Sequence, residues 1–321
     1  MGEVLTMRTK HFWFLIGLTL SFPIHAPAQD PRPPIIDMHL HANDFDSWGW
    51  AQPEQDAGDA FGPVFDQQMT GILAARSTED LQQKTLAAMD QHNIVFGIVS
   101  GPLAESYRRN RPSRLLASPS LGGIDEPVDS LRKAFNSGRY QALAEFAPQY
   151  SGFAPNAVEL DPYFALAEEF DIPMGIHIGL APPGIANDGQ SKYRMRLSNA
   201  LLLEEVLIKH PDLRLYVMHA GWPLLDNMVA LMYAYPQVYL DIAVINWYLP
   251  KKEFYFYFQR LVDAGFSKRI MFGSDQMVWP DAIGRAIETV ESAPFLSDEQ
   301  RRDIMCRNAI TFLRLDETVC Q

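Results

Sequence analysis

Ile35-Ile36-Asp37-Met38-His39-Leu40-His41 is a short apolar run that ends in two histidines one residue apart. Alternate side chains of a strand point the same way, so both imidazoles aim at one point. The run also opens a series. Short β-branched or apolar runs recur at 94–100, 115–120, 140–146, 172–179, 213–219, 238–244 and 269–274. Helical patterns lie between them over 78–91, 127–137, 160–170, 198–209, 223–234, 252–264 and 281–291, and 298–314 closes the chain. Ser77-Thr78-Glu79-Asp80, Ser198-Asn199 and Ser297-Asp298-Glu299 supply helix-start signals. Eight strand–helix alternations predict an α/β protein built as a single (β/α)8 (TIM) barrel with a long loop after strand one. The competing fold, an open doubly wound sheet, wants a glycine-rich phosphate turn at the first strand, and this run has none.

The polar residues fall at the strand ends. Glu145 ends strand four, His177 strand five, His219 strand six and Asp275 strand eight. The C-terminal strand ends of such a barrel surround one mouth, so these side chains converge there with His39 and His41. Any one of them has a structural explanation; their joint placement is harder to explain that way. Of the eight histidines, His11 and His25 lie near the N-terminus, while His92 and His210 end helical patterns. The other four all sit at strand ends. Burying them with two carboxylates is costly unless something compensates, and a divalent cation is the simplest compensation. Nitrogen and oxygen donors without cysteine suit zinc first, with manganese, iron or cobalt as alternatives.

HxH after strand one, histidines after strands five and six and an aspartate after strand eight resemble the amidohydrolase superfamily. The stretch from Ala144-Glu145 through Pro148-Gln149-Tyr150 and Asp161-Pro162-Tyr163 to Ile172-Pro173-x-Gly175-Ile176-His177 resembles its amidohydrolase-related branch. That branch contains aminocarboxymuconate-semialdehyde decarboxylase and several lactone hydrolases. The resemblance runs from about Ile35 to about Leu315. It implies His39, His41, His177 and Asp275 as metal ligands, with His219 catalytic or ligating a second ion. Glu145 is implied either as a bridge between two ions or as a residue that tunes one. One ion or two is left open, with one favoured. The implied activity is hydrolysis of a small lactone, ester or amide. A divalent ion brings the pKa of bound water toward about 7, and Asp275 acts as base and then acid. The alternative is nonoxidative decarboxylation of an unsaturated or aromatic carboxylic acid on the same site. Some decarboxylases of the branch carry glutamate at the first position of HxH, where this chain keeps His39.

Residues 1–28 read as an export signal: Arg8 and Lys10, an uncharged apolar run from Phe12 to Phe22, then Ala26-Pro27-Ala28. The expected mature chain is residues 29–321, periplasmic or secreted, without stable membrane association after cleavage; an uncleaved N-terminal anchor is the competing reading. Mass spectrometry of the exported protein should give a chain starting at Gln29, and an intact Met1 or Met7 terminus held in the membrane contradicts it. The signal holds two of 27 basic and one of 39 acidic residues, leaving 25 against 38 and a net charge of −13. Such a surface repels phosphate backbones, which excludes nucleic acid as a partner and leaves a small-molecule substrate. Oligomeric state is open, a homo-oligomer included. Cys306 and Cys320 are either one disulfide or two free thiols.

The loop 42–76 carries Trp48, Trp50, Phe61 and Phe65 among six acidic residues and reads as an ordered lid. Trp247, Tyr248 and Trp279 are expected in the pocket wall. Lys192, Arg194 and Arg196 either meet a substrate carboxylate or form a solvated basic patch. Arg108, Arg109 and Arg111 are open to the same two readings.

Overall fold

β1 (Ile35–His41) is buried along its whole length, as expected of a strand covered on both faces. It pairs in parallel with β2 (Ile94–Ser100), and β2 with β3 (Leu115–Ser118). A second parallel ladder joins β4 (Leu143–Phe146), β5 (Met174–His177), β6 (Leu215–Met218), β7 (Tyr239–Asp241) and β8 (Ile270–Met271) in that order. Backbone bonds tie the ladders at both seams. Gln141 N donates to Ala117 O (2.9 Å) and Leu121 N to Glu145 O (2.9 Å); at the other seam Met38 N donates to Phe272 O (3.0 Å) and Asp275 N to His39 O (2.7 Å). The molecule is a (β/α)8 barrel. The computed structural model describes residues 1–2, 32–46, 71–187 and 191–321, and Arg32–Gln321 form one compact unit. The expected export signal and the aromatic part of the loop 42–76 lie outside the described residues. Among those described, no helix is long and apolar enough to cross a membrane.

Most helices fall where the apolar period puts them, Thr78–Gln91 with the expected bounds. Ser77 accepts from Asp80 N, and Ser297 forms a capping box with Gln300. Three differences are physical. The pattern 198–209 begins as 3₁₀ turns and becomes α-helix only at Glu204–Lys209. The pattern 298–314 is split by a π turn at Asp303–Arg307, where the Ile304 carbonyl accepts from Phe272 N (2.9 Å). A helix at Ala104–Asn110 was not anticipated; its polar sequence AESYRRN buries little beyond Ala104 and Tyr107. The later strands are also shorter than their apolar runs.

One core cluster gathers Ile36, Met38, Ile98, Ala144, Tyr216 and Met271, with Phe312 from the last helix. The Tyr216 hydroxyl donates to Met38 O (3.0 Å), and its ring meets Phe312 edge-on at 5.4 Å. Phe312 therefore packs at the start of β6, at the end of the barrel away from the histidines. A Cβ at Gly175 would lie 2.5 Å from the Tyr216 ring, so the glycine of Gly175-Ile176-His177 makes room for the tyrosine that fills the barrel. Cys306 and Cys320 are joined, with Cα atoms 6.1 Å apart, which ties the tail to the last helical segment.

Candidate metal centre and active site

His39, His41, His177, His219 and Asp275 are buried at the C-terminal strand ends, and the Glu145 carboxylate, 13% exposed, lies among them. Donor atoms gather in two overlapping groups, His39/His41/Asp275 and His39/Glu145/His219, each with its atoms within 4.8 Å of one another. Asp275 Oδ1 lies 3.0 Å from His41 Nε2 and 3.9 Å from His39 Nε2. Glu145 Oε2 lies 3.6 Å from His41 Nε2 and 3.8 Å from His39 Nε2. His39 Nε2 is buried without a hydrogen-bond partner, facing Glu145 Oε2 and Asp275 Oδ1 at 3.8 and 3.9 Å. Buried polar atoms are rarely left so, and a cation between it and the two carboxylates satisfies it. The residues fit a divalent metal.

His177 stands at the edge of this set. Its Nδ1 meets Glu145 and lies 3.0 Å from His219 Nε2, while its Nε2 faces Leu180 O at 2.7 Å. It belongs to neither three-residue group, and Nδ1 is the nitrogen it turns to the cluster.

The charge balance agrees with this geometry. Burial works to raise the Glu145 pKa, but the His177 charge and hydrogen bonds from His177 and His219 hold it well below the usual carboxylate value. Burial raises Asp275 too, and the charges and hydrogen bond of His39 and His41 bring it below its ordinary value. Burial lowers His39 and His219, yet Asp275 and Asp241 lift the first well above its ordinary value, and Glu145 lifts the second. The carboxylates are ionised and draw positive charge into the cluster, a demand that protons or a metal ion can meet.

Side chains that strand-end reading did not single out hold the candidate ligands in place. Asp241, fully buried at the end of β7, faces His39 Nδ1 at 3.1 Å through Oδ2. Its Oδ1 accepts from His219 N (2.8 Å) and Ala243 N (3.0 Å). A proton on Nδ1 of His39, held by Asp241, leaves Nε2 with its lone pair toward the cluster. Gln276 accepts from His41 N (3.0 Å) and donates to His41 O (2.7 Å). Asp37 Oδ1 accepts from His39 N (3.0 Å) and Ser274 N (2.9 Å); burial outweighs these bonds and pushes its pKa up to about 6. Ser274 is fully buried. Asp241 had one sequence signal, a carboxylate closing an apolar strand run, and it passed unread.

The backbone is strained at the same place. His219, Val244 and Asp275 have φ of 58°, 56° and 50°, a left-handed conformation that costs a non-glycine residue of order 1–3 kcal/mol. The turn at Val244 has a visible result. The next residues form a short helix, Ile245–Tyr248, and Trp247 donates to Ser274 O (2.7 Å). Trp247 and Trp279 pack against each other and are buried. Neither they nor Tyr248 line the cavity, which corrects the expectation from sequence.

The cavity above the ligands has a volume of about 350 Å³. His41, Glu145, His177, His219 and Asp275 form its polar floor, and Tyr150 and Ile185 stand in its wall. Lys192, Arg194 and Arg196 are exposed and outside the wall; Arg194 binds the carbonyls of Ser191 (3.3 Å) and Tyr193 (2.6 Å). Arg108 and Arg111 engage Gly138 O (3.3 Å) and Asp90 (2.6 Å) on the outside.

The Amidohydrolase family profile matches residues 36–315. The chain belongs to the amidohydrolase family. As an amidohydrolase with a fitting donor set, it is a metal-dependent enzyme of that type. Among curated proteins none matches it. Solved structures similar to this amidohydrolase include an uncharacterised TIM-barrel protein of Bordetella bronchiseptica, 17% identical, with a TM-score of 0.65 over 88% of this chain and 98% of that one. A dihydroxybenzoic acid decarboxylase of a Polaromonas species, solved with manganese and 2-nitroresorcinol, is 14% identical, with a TM-score of 0.56 over 88% and 97%. A probable 2-pyrone-4,6-dicarboxylic acid hydrolase of Acinetobacter baumannii, solved with citric acid, is 15% identical, with a TM-score of 0.55 over 88% and 99%. At these identities the likeness speaks for the shared barrel, and the printed reactions belong to those proteins.

Proposed function

We propose that this amidohydrolase hydrolyses a small lactone, ester or amide. The observation that carries the reading is His39 Nε2, buried and without a hydrogen bond, facing the Glu145 and Asp275 carboxylates at 3.8 and 3.9 Å. His39, His41, Asp275 and Glu145 would hold the ion, with His177 at the margin. Nitrogen and oxygen donors favour zinc, and manganese suits the same set. His39 is common to both donor groups, its Nε2 facing Glu145 and Asp275 alike, and an imidazole nitrogen has one lone pair, which supports a single ion.

When bound, the ion supplies an activated water and Lewis acidity toward the substrate carbonyl. Asp275 takes the proton of the attacking water and returns it to the leaving group. His219, on the cavity floor, would steady the oxygen on which charge builds. The apolar wall excludes bulk water and strengthens each of these interactions.

Decarboxylation would use the same ligands, and one screen separates the two. Purified protein loaded with zinc or with manganese is offered lactones, 4-nitrophenyl esters, anilides and aromatic carboxylic acids. Acid release and carbon dioxide are both followed. Hydrolysis of a member of the first three classes supports the proposal. Carbon dioxide from a carboxylic acid, with no hydrolysis, overturns it.

A further inference from the structure

We infer that the cavity takes an uncharged substrate and disfavours one that carries a carboxylate away from the reacting carbonyl; this rests on the hydrolytic reading above. The first observation is the wall. Leu121, Leu180, Pro182, Ile185, Val244 and Met277 give it an apolar surface, and among the described residues lining it there is no lysine or arginine. The second is where the cations are. Arg194 is occupied by the carbonyls of its own loop, and Lys192 and Arg196 are exposed and not among the residues that line the cavity. The third is sequence. Residues 47–70 and 188–190 contain no lysine or arginine, while 47–70 adds Glu54, Asp56, Asp59 and Asp66. Neither segment can bring a cation to the mouth, and Arg8 and Lys10 belong to the expected export signal.

The floor does not make up the difference. Glu145 and Asp275 together offset one divalent cation, and the imidazoles are turned to these two carboxylates. No positive charge is left over for a distal carboxylate, whose burial without a partner is strongly unfavourable. A formal net charge of −12 adds long-range repulsion of anions.

The wall does offer a neutral donor. Tyr150 lines the cavity, and its ring is fixed against His177 (5.3 Å) and Tyr193 (5.2 Å). Its hydroxyl enters no hydrogen bond with another described residue. A phenol is a neutral donor at ordinary pH, suited to the carbonyl or ring oxygen of a lactone, ester or amide.

The test uses two esters that differ by a methyl against a carboxylate: 4-nitrophenyl butyrate and mono-4-nitrophenyl succinate. The metal-loaded full-length enzyme should favour the butyrate in kcat/KM by at least about tenfold, as expected when a carboxylate must be desolvated unpaired. Ile185 sits half-buried on a surface turn, where a long side chain can be accommodated. Ile185→Arg should narrow or reverse the preference, and Ile185→Gln should not. An equal or better succinate rate in the unmutated enzyme overturns the inference, as does a preference that Ile185→Arg leaves unchanged. If neither ester is turned over, these esters lend the hydrolytic reading no support, and binding still decides the charge question. The matching 4-nitroanilides, 4′-nitrobutyranilide and 4-nitrosuccinanilic acid, are then titrated by calorimetry. Tighter binding of the uncharged anilide upholds the inference; equal or tighter binding of the acid, or no binding of the uncharged one, overturns it.

Discussion

Asp275→Asn should lower turnover by roughly 10²–10⁴-fold while the barrel keeps its shape, the range expected when a positioned general base is removed. The carboxylate closes β8 on a left-handed backbone (φ 50°). One oxygen faces His41 and His39, and the other lies 3.8 Å from His219 Nδ1. Although burial opposes it, His39 and His41 keep the group below the ordinary carboxylate pKa, so it is ready to accept a proton at neutral pH. An amide of the same shape cannot accept one. The acidic limb of the kcat/KM profile should vanish with it, because that limb reports Asp275 becoming protonated. Metal analysis and circular dichroism on the same variant separate loss of the base from loss of the ion or the fold. Near-normal turnover in a metal-replete Asn variant would show that Asp275 is a ligand and nothing more.

His39→Ala should strip the metal and remove the stabilisation that metal confers. His39 Nε2 is the donor common to both groups, so its loss breaks either arrangement. A ligand at 100 times its dissociation constant stabilises a native protein by about 2.7 kcal/mol, and that increment should disappear. The unmutated enzyme should melt higher with added zinc or manganese and lower with chelator, whereas the variant should respond to neither. Asp241→Asn should act in the same direction but more mildly. Losing the carboxylate that holds Nδ1 of His39 typically weakens metal affinity by about 10–100-fold. Full metal occupancy in His39→Ala would remove His39 from the ligand set.

The ligand cluster was legible because each of its members is written at the end of an apolar run. His39 and His41, Glu145, His177, His219 and Asp275 close the apolar runs of strands one, four, five, six and eight, and barrel topology brings strand ends together whatever the loops do. Their supports were not legible in the same way. Asp241 and His39 are 202 positions apart, and Gln276 and His41 are 235 apart. Neither pairing leaves a local pattern. The aromatic wall was misplaced for a related reason. Alternation gives the direction of a side chain only while the strand continues, and the left-handed turn at Val244 ends that rule three residues after β7. Trp247 then turns inward to the Ser274 carbonyl, and the cavity wall is built instead from the loops that carry Leu121, Leu180 and Ile185.

Period and strand-end chemistry are local properties, and from them follow the barrel, its order of strands and the side chains that meet at its mouth. The tautomer of His39, the orientation of His177 and the charge of the cavity wall are not local. They arise when β1, β7 and β8 close against one another, because burial removes water as the alternative partner and leaves each polar atom to whatever side chain the closure brings within reach. His39 Nδ1 finds Asp241 there. His39 Nε2 finds no hydrogen bond and faces only the carboxylates of Glu145 and Asp275, and it is this closure that gives the mouth of the barrel a donor set fitted to a metal ion.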